Sequence, residues 1–543
     1  MAPGTTSDSG GADAAGAHGP GWENFSQATR TWFLDALPAG PTPVQERAWA
    51  AIGRGENALV IAPTGSGKTL ASFLSAIDRL GREPAAEAKG TEAAPGGAQA
   101  QDDGVRVIYI SPLKALGVDV ERNLRRPLAG IAAIDPTRPI SVGVRSGDTP
   151  ARERRRLRNH PPDILITTPE SLYLMLTSAA RETLRAVETV IVDEIHSFAG
   201  SKRGTHLALS LERLDDLLER PAQRVGLSAT VAPPEEVAHF LGGPHPVTII
   251  TDDGRATPEI TVAVPVENLA RIPAISDRRT RMERALAAPA SAGSGRNAQP
   301  SGLGRVGSSQ VWRSDRALGR AMAAGRVDGP GSGAPARVSA SIWPHLENAI
   351  LDQVLAHRTT LVFVNSRGAC ERLTAHLNEA YAARLGAAAP APQVQVHRES
   401  WEMGTASHTE PLAAGSAVIA KAHHGSVSKE QRLGVERELA AGELRCVVAT
   451  ASLELGIDIG SVDLVLQVAP PPSVAAGLQR VGRADHRVGG RSRGVIYPVE
   501  RTHLVDAVVA AEGMRAGAIE RTELVSNALD VLAQQTVAAV SVA

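Results

Sequence analysis

The stretch "NALVIAPTGSGKTLASFLSAIDRL", Asn57 to Leu80, decides the fold. Its first residues are a short apolar run that ends in Ala-Pro-Thr-Gly. Its last residues repeat apolar side chains at helical spacing. A strand, a glycine-bearing loop and a helix in that order are what a phosphate loop requires. Gly65 and Gly67, between Thr64, Ser66 and Lys68, let backbone N–H groups turn toward phosphate oxygens. The start of the helix adds a favourable dipole. Lys68 supplies a point charge for β- and γ-phosphates, and the Thr69 hydroxyl a ligand for Mg²⁺. Ala62 stands where the general pattern has glycine. The bland alternative is a glycine-rich turn with a solvated lysine.

Outward from this stretch, the same theme repeats. "VRVIYISPLK", "DILITTPES", "ETVIVDEIH" and "QRVGLSAT" are short apolar runs ending in polar or turn residues, with helix-like segments between them. Continuous apolar runs alternating with helices predict buried parallel strands and an α/β sheet. The pattern resumes with "RTTLVFVNSR", "LRCVVATASLELG" and "VDLVLQVAPPP". Two α/β domains in tandem follow, with chemistry expected at the carboxyl ends of the strands. Residues 1–21 read as a disordered tail. Small and polar residues at 81–104, about 287–340 and 385–393 read as surface insertions. The division expected is 22–254, 255–505, and 506–543 as the start of a helical, winged-helix third domain. "DVLAQQTVAAVSVA" at the end reads as a helix cut inside that domain.

The composition narrows the possibilities. A chain of 543 residues exceeds one ordinary domain. Only 3% of residues are aromatic, so Ala, Val and Leu are expected to fill the cores. A net charge of −1 gives no global attraction for nucleic acid, so any basic groove is local. Cys370 and Cys446 lack CxxC partners, which argues against zinc and disulfides and favours a reducing, cytoplasmic setting. No signal-peptide pattern opens the chain, and no apolar run approaches the ~18 residues of a membrane span.

A second motif, "VIVDEIH", places Asp193 and Glu194 just past a strand. Asp193 reads as the Mg²⁺ holder and Glu194 as the group that polarises an attacking water. Gln45, about twenty residues before the phosphate loop, is a candidate for a two-way amide hydrogen bond to adenine. Gln45, "APTGSGKT", "VDEIH", "SAT" (Ser228, Ala229, Thr230) and "QRVGRADH" occur in that order. Together they resemble the superfamily 2 helicases of the DEAD/DEAH type. "YISPLKALGVDVERNL", "TTPESLYLML", "LVFVNSRGACERL", "AHHGSVSKEQR" and "SLELGIDIGSVDLVLQV" resemble one branch, the large helicase-related (Lhr) proteins.

The resemblance implies two RecA-like domains with ATP between them, and a motor that moves 3′ to 5′ on single-stranded DNA, unwinds duplexes and serves DNA repair. It implies coupling roles for His196, Ser228, Ala229 and Thr230. It implies nucleic-acid contacts at Ser111, Pro112 and Lys114; at Gly147, Asp148 and Thr149; and at Thr168, Pro169 and Glu170. In the second domain it implies such contacts at Asn365, Ser366, Arg367, His424, Gly425, Thr450 and Ser452. Gly456 and Asp458 match the ATP cleft. Hydroxyls, N–H groups and one lysine hold phosphates without reading bases, so binding would tolerate any sequence. "TPES" also reads as a helix start. The paired histidines at 423–424 have no ligand partner at helical spacing.

"QRVGRADHRVGG" carries Arg480 and Arg483, three apart and so expected on one helix face. The resemblance makes them arginine fingers toward the γ-phosphate, with Gln479 alongside. Arg487, Arg491 and Arg493 match nothing. Asp485 stands where such proteins mostly have glycine, and is expected to slow hydrolysis moderately. Three other readings compete: an RNA-directed remodeller, a binding module with a dead ATPase, and an ATPase that hydrolyses without unwinding.

Overall fold

The computed structural model describes residues 19, 21–63, 66–82, 104–136, 139–252, 257–270, 272, 341–385, 418–454, 462–484 and 492–542. Val266–His345 form a separate unit, and the rest, both sheets included, is one compact unit.

The first sheet has seven strands: β1 (Asn57–Ile61), β2 (Val107–Ile110), β3 (Val142–Arg145), β4 (Ile164–Thr167), β5 (Thr189–Val192), β6 (Gln223–Ser228) and β7 (Val247–Thr251). All pair in parallel, in the order β3-β4-β2-β5-β6-β1-β7. Alternate residues of one strand enter different cores. Ala58 and Val60 join Phe73, Tyr109 and Ile166, whereas Leu59 and Ile61 join Ile108, Leu172 and Leu241. Both faces are covered, which is why these strands read as unbroken apolar runs. The first of these cores holds Trp22, Phe25, Trp32, Phe33 and Trp49. Aliphatic residues still make up most of this core, as expected, but five of the few aromatics gather under one face of the sheet, with Trp22 and Phe33 5.3 Å apart and edge-on.

The second sheet has six parallel strands: β8 (Glu259–Val262), β9 (Thr360–Phe363), β10 (Ala420–His423), β11 (Cys446–Ala449), β12 (Leu464–Val468) and β13 (Arg493–Tyr497). Their order is β10-β11-β9-β12-β13-β8. In the first sheet β1 lies inside between β6 and β7, and in the second β9 lies inside between β11 and β12, so the chain crosses over within each sheet and brings loops together at one rim.

The expected division at 505/506 falls inside a single helix, Arg501–Ala516. Ala507, Ala511 and Met514 of that helix are buried in the core of the second sheet. Gly517, at φ 67°, ends it in the left-handed conformation that glycine adopts without penalty. The chain then returns to the first lobe. Glu520 accepts hydrogen bonds from the N–H groups of Val474 (2.6 Å) and Ala475 (3.1 Å) in the second lobe. Thr522 N–H donates to Ala232 O, 2.6 Å, in the first. Leu524 packs on the first lobe's core. The last helix, Leu529–Val540, lies along the first lobe's helix Lys202–Asp215, where Gln535 accepts from Arg213 (2.9 Å) and donates to His206 O (3.1 Å).

Candidate active site

β1 delivers the chain to the loop, and the helix Lys68–Arg82 leaves it. Gly67 has φ 80°, and a side chain there would meet Gln45 Nε2 at 2.4 Å. Thr64 and Gly65 lie outside the described residues. Lys68 is buried and donates to the carbonyls of Ala62 and Pro63, the latter at 3.3 Å. Burial, first, pushes its ammonium below the usual lysine range; Glu194 and Asp193 oppose this and Arg483 adds to it. A lysine that feels all three charges sits where they converge.

Gln45 is also buried. Its Oε1 accepts from Thr42 N–H (2.9 Å), while Thr42 Oγ1 accepts from Gln45 N–H (3.3 Å), a reciprocal cap at the start of helix Pro43–Gly53. Its Nε2 donates to Gly67 O, 3.3 Å. Both ends of the amide expected to read adenine are therefore bonded to the protein in this structure.

Asp193 and Glu194 follow β5 and are both buried. Asp193 Oδ2 accepts from the Tyr109 hydroxyl, and Oδ1 from Glu194 N–H at 2.9 Å. Burial and the neighbouring Glu194 push Asp193 up to about 7, against the Tyr109 hydrogen bond and Lys68, which pull it down. Glu194 has φ 45°, a left-handed turn that a non-glycine residue adopts at a cost. The turn brings two adjacent carboxylates to one side. Glu194 Oε2 is buried with no hydrogen-bond partner among the described residues. Such an oxygen asks for a water or a cation.

His196 sits between the lobes. Its Nδ1 is 3.0 Å from Ser228 Oγ and 3.5 Å from Glu194 Oε2; its Nε2 accepts from Gln479 Nε2 at 2.8 Å. Burial, above all, lowers its pKa, which favours the neutral ring that can accept from the amide. Ser228 O also accepts from Ala62 N–H, 3.1 Å, so the end of β6 touches the phosphate loop, the histidine and, through it, the second lobe. Ala229 is buried beside it and Thr230 partly so.

Both arginines reach Glu454, Arg480 its carboxylate and Arg483 its backbone carbonyl. The helix Val474–Val481 ends before Arg483, which lies in the turn beyond the Gly482 cap. Arg480 points into the second lobe: its Nε meets Glu454 Oε2 (3.0 Å), and its Nη1 meets Asn365 Oδ1 (3.0 Å) and Gln467 Oε1 (2.9 Å), over the Phe363 ring. Arg483, equally buried, donates to Glu454 O at 2.9 Å, and its charge reaches Lys68. In this structure Arg480 is held by side chains of the second lobe, whereas the charge of Arg483 reaches Lys68. Gly456, Asp458, Asp485, Arg487 and Arg491 lie outside the described residues. Arg493 pairs with Glu259 at the surface, 3.4 Å.

The strand-end loops occupy the rims of both sheets. Ser111 Oγ donates to Leu113 O (2.9 Å), next to Pro112. Lys114, expected to meet phosphate, forms an exposed ion pair with Asp148, 2.6 Å. Gly147 and Thr149 are braced by Arg154, which donates to both carbonyls at 2.8 Å. Thr168 caps the helix Pro169–Leu176, and Glu170 pairs with Arg203 at 2.6 Å. In the second lobe, Asn365 Nδ2 donates to Pro470 O (2.8 Å), Ser366 caps the helix Arg367–Arg384, and Arg367 donates to Ser426 Oγ (2.9 Å). Gly425 lies in the turn between. His424 meets Glu371 (2.6 Å), while buried His423 meets Ser452 (2.8 Å) and Glu436 (2.9 Å), so the paired histidines face different partners. Thr450 N–H donates to His423 O, 3.3 Å. The Thr149 and Ser366 hydroxyls accept from backbone N–H groups, of Ser146 at 2.9 Å and Ala369 at 3.2 Å, which leaves their own O–H for another acceptor.

Residues 42–238 match the DEAD/DEAH box helicase model, and residues 400–489 match the helicase conserved C-terminal domain model. The Lhr helicase/uracil glycosylase of Escherichia coli is 50% identical over 520 residues, 95% of this chain and 30% of that protein. The chain is homologous to the Lhr helicases. The ATP-dependent helicase Lhr-Core of Methanocaldococcus jannaschii is 33% identical over 95% of this chain and 48% of its own length. The structure of Mycobacterium smegmatis helicase Lhr bound to ssDNA and AMP-PNP superposes with a TM-score of 0.71 at 47% identity, covering 96% of this chain and 54% of that one. The two-lobed RecA-like fold is therefore shared with an Lhr protein, while the chain spans a third to a half of its relatives' lengths.

Three residues that the fold brings to the site carry no signal in the sequence. Tyr109 was hidden in an apolar run, although a buried tyrosine needs a partner for its hydroxyl. Glu454 joins both arginines only through folding. Arg154 braces a loop through carbonyls, which no sequence spacing announces.

Proposed function

We propose that this chain is an ATP-dependent motor on single-stranded nucleic acid, DNA in preference to RNA, moving 3′ to 5′ and separating duplexes, with a role in DNA repair in the cytoplasm. The Gln479–His196 hydrogen bond across the cleft carries the reading. It joins the lobe bearing Lys68, Asp193 and Glu194 to the lobe bearing Arg483. Lys68 and the loop N–H groups hold the β- and γ-phosphates. Glu194, through its unpartnered oxygen, orients the attacking water and takes up its proton. Arg483 offsets the negative charge that develops on the transferred group, a contribution worth about 10³–10⁵ in rate in related chemistry. Thr69, Asp193 and Glu194 are hard oxygen donors that fit Mg²⁺, and the orphaned Glu194 oxygen supports that fit. When bound, the cation neutralises phosphate charge. His196 and Ser228 transmit the cleft's state between the lobes. The strand-end loops of both lobes grip one backbone, and alternate closure and opening steps them along it.

Buried thiols at Cys370 and Cys446 accord with a reducing compartment. Among the described residues, no helix is long and apolar enough to cross a membrane. The deciding experiment measures ATP turnover alone, with oligo-dT and with oligo-U, and then displacement of 3′- and 5′-tailed duplexes. Turnover stimulated by oligo-dT, with displacement from the 3′ tail, is expected. Stimulation by oligo-U alone sinks the DNA assignment. Turnover without displacement leaves the ATPase and refutes unwinding by this chain.

A further inference from the structure

Outside the cleft, the strongest concentration of charge lies at the edge of the first sheet. β3 ends in Arg145, and the helix Ala151–Asn159 that follows reads "ARERRRLRN". Arg145, Arg154, Arg155 and Arg158 line one cavity of about 140 Å³ together with Ser178, Ala179 and Ala180. That is well above the ~10–15 Å³ a single water needs. Among the described residues no carboxylate pairs with any of the four. The nearby acids are already engaged: Glu153 with Arg156 at 3.4 Å and Asp148 with Lys114 at 2.6 Å. Arg154 donates to the carbonyls of Gly147 and Thr149; among the described residues no hydrogen bond holds the guanidinium of Arg145, Arg155 or Arg158. Burial, then Arg154, lowers the Arg145 guanidinium from its ordinary range. Like charges crowded in a half-buried cavity disfavour the folded state unless an anion joins them. In a chain of net charge −1 the patch is not a by-product of general basicity.

We propose that this four-arginine cavity is a phosphate-binding subsite for the nucleic-acid backbone, outside the strand-end loops. Its place selects the ligand. Arg154 is both a wall of the cavity and the brace of the Gly147–Thr149 turn, so a backbone held at that turn continues into the cavity. Guanidinium forks match phosphate oxygens in pairs, whatever the base sequence. The subsite therefore adds grip without adding specificity. Small apolar Ala179 and Ala180 leave the approach open. This inference rests on the proposed nucleic-acid-driven function.

The test compares the parent chain with Arg155→Ala/Arg158→Ala, both exposed and away from the ATP cleft, and with Arg155→Lys/Arg158→Lys. Binding of fluorescent oligo-dT is measured by anisotropy from 50 to 200 mM salt. The alanine pair is expected to bind roughly 3- to 10-fold more weakly at low salt, with the salt slope shallower by about 1. ATP turnover without DNA stays within about twofold, which shows that the fold and the cleft survive. The lysine pair restores the slope but not the full affinity. Equal affinity and slope in parent and alanine pair overturn the subsite while the motor reading stands. A parent that neither binds oligo-dT nor is stimulated by it overturns both. Thermal stabilisation of the parent by pyrophosphate, lost in the alanine pair with DNA binding unchanged, overturns the backbone assignment in favour of a free anion.

Discussion

Replacing Arg480 separates two meanings that its sequence motif merges. In this structure the guanidinium is 4% exposed and satisfies three acceptors: Glu454, Asn365 and Gln467. It also covers the Phe363 ring at 5.3 Å, a contact worth up to ~2 kcal/mol when desolvated. Arg480→Ala leaves the Glu454 carboxylate, 15% exposed, without its cation, and the buried Gln467 oxygen without that donor. Breaking a buried pair by removing one partner costs about 3–5 kcal/mol. A lobe of 150–250 residues loses about 2–4 °C of melting temperature per kcal/mol, so a drop of roughly 6–20 °C is expected. Arg483→Ala, by contrast, is expected to lower ATP turnover by about 10³-fold or more while melting closer to the parent. Scanning calorimetry on both variants, beside steady-state turnover at temperatures where each is folded, decides. If Arg480→Ala melts within about 2 °C of the parent and loses as much turnover as Arg483→Ala, Arg480 acts on phosphate and the network reasoning is wrong.

Glu194→Gln is expected to retain nucleotide binding, seen by fluorescent ATP analogue, while hydrolysis falls by about 10²–10⁴; unchanged hydrolysis would remove Glu194 from the water's path. Gln479→Ala deletes the cross-cleft bond to His196, a contribution of about 1 kcal/mol, so stimulation by oligo-dT should fall about fivefold with DNA-free turnover preserved. An equal loss of both rates contradicts a coupling role. Gly67→Ala puts a β-carbon at 2.4 Å from Gln45 Nε2 in a left-handed turn, at a cost of about 1–2 kcal/mol or more, and nucleotide affinity should drop at least tenfold. Parent-like affinity would mean that the loop has another conformation available.

Much of this architecture was legible before any coordinates. Strands of a doubly covered parallel sheet are apolar on both faces, so "ALVI", "VIYI" and "TVIV" announced themselves, and glycines beside a lysine marked the phosphate loop. What stayed hidden depended on where elements end and what they meet. Arg480 and Arg483 have a spacing that suits one helix face, but the helix stops at Val481, so Arg483 stands in the turn that follows and Glu454 becomes a partner of both. Gln45 showed a free amide in sequence and a doubly bonded one in the fold, since its partners are the cap at Thr42 and a carbonyl of the loop it was meant to serve. The aromatic cluster under the first sheet escaped because composition averages over the chain, while packing gathers rare residues into one place.

The return of the chain through Gly517, Glu520, Thr522 and Leu524 has a mechanical meaning. The second lobe is joined to the first at the connection between β7 and β8 and again at this strap. A body pinned at one point can swing in any direction. A body pinned at two can only rock about the line between the pins. The strap is held by the Glu520 carboxylate on the second lobe and, on the first, by Thr522, Leu524 and the helix that follows them. Two attachments of this kind favour rocking about one line over sideways displacement of the lobes.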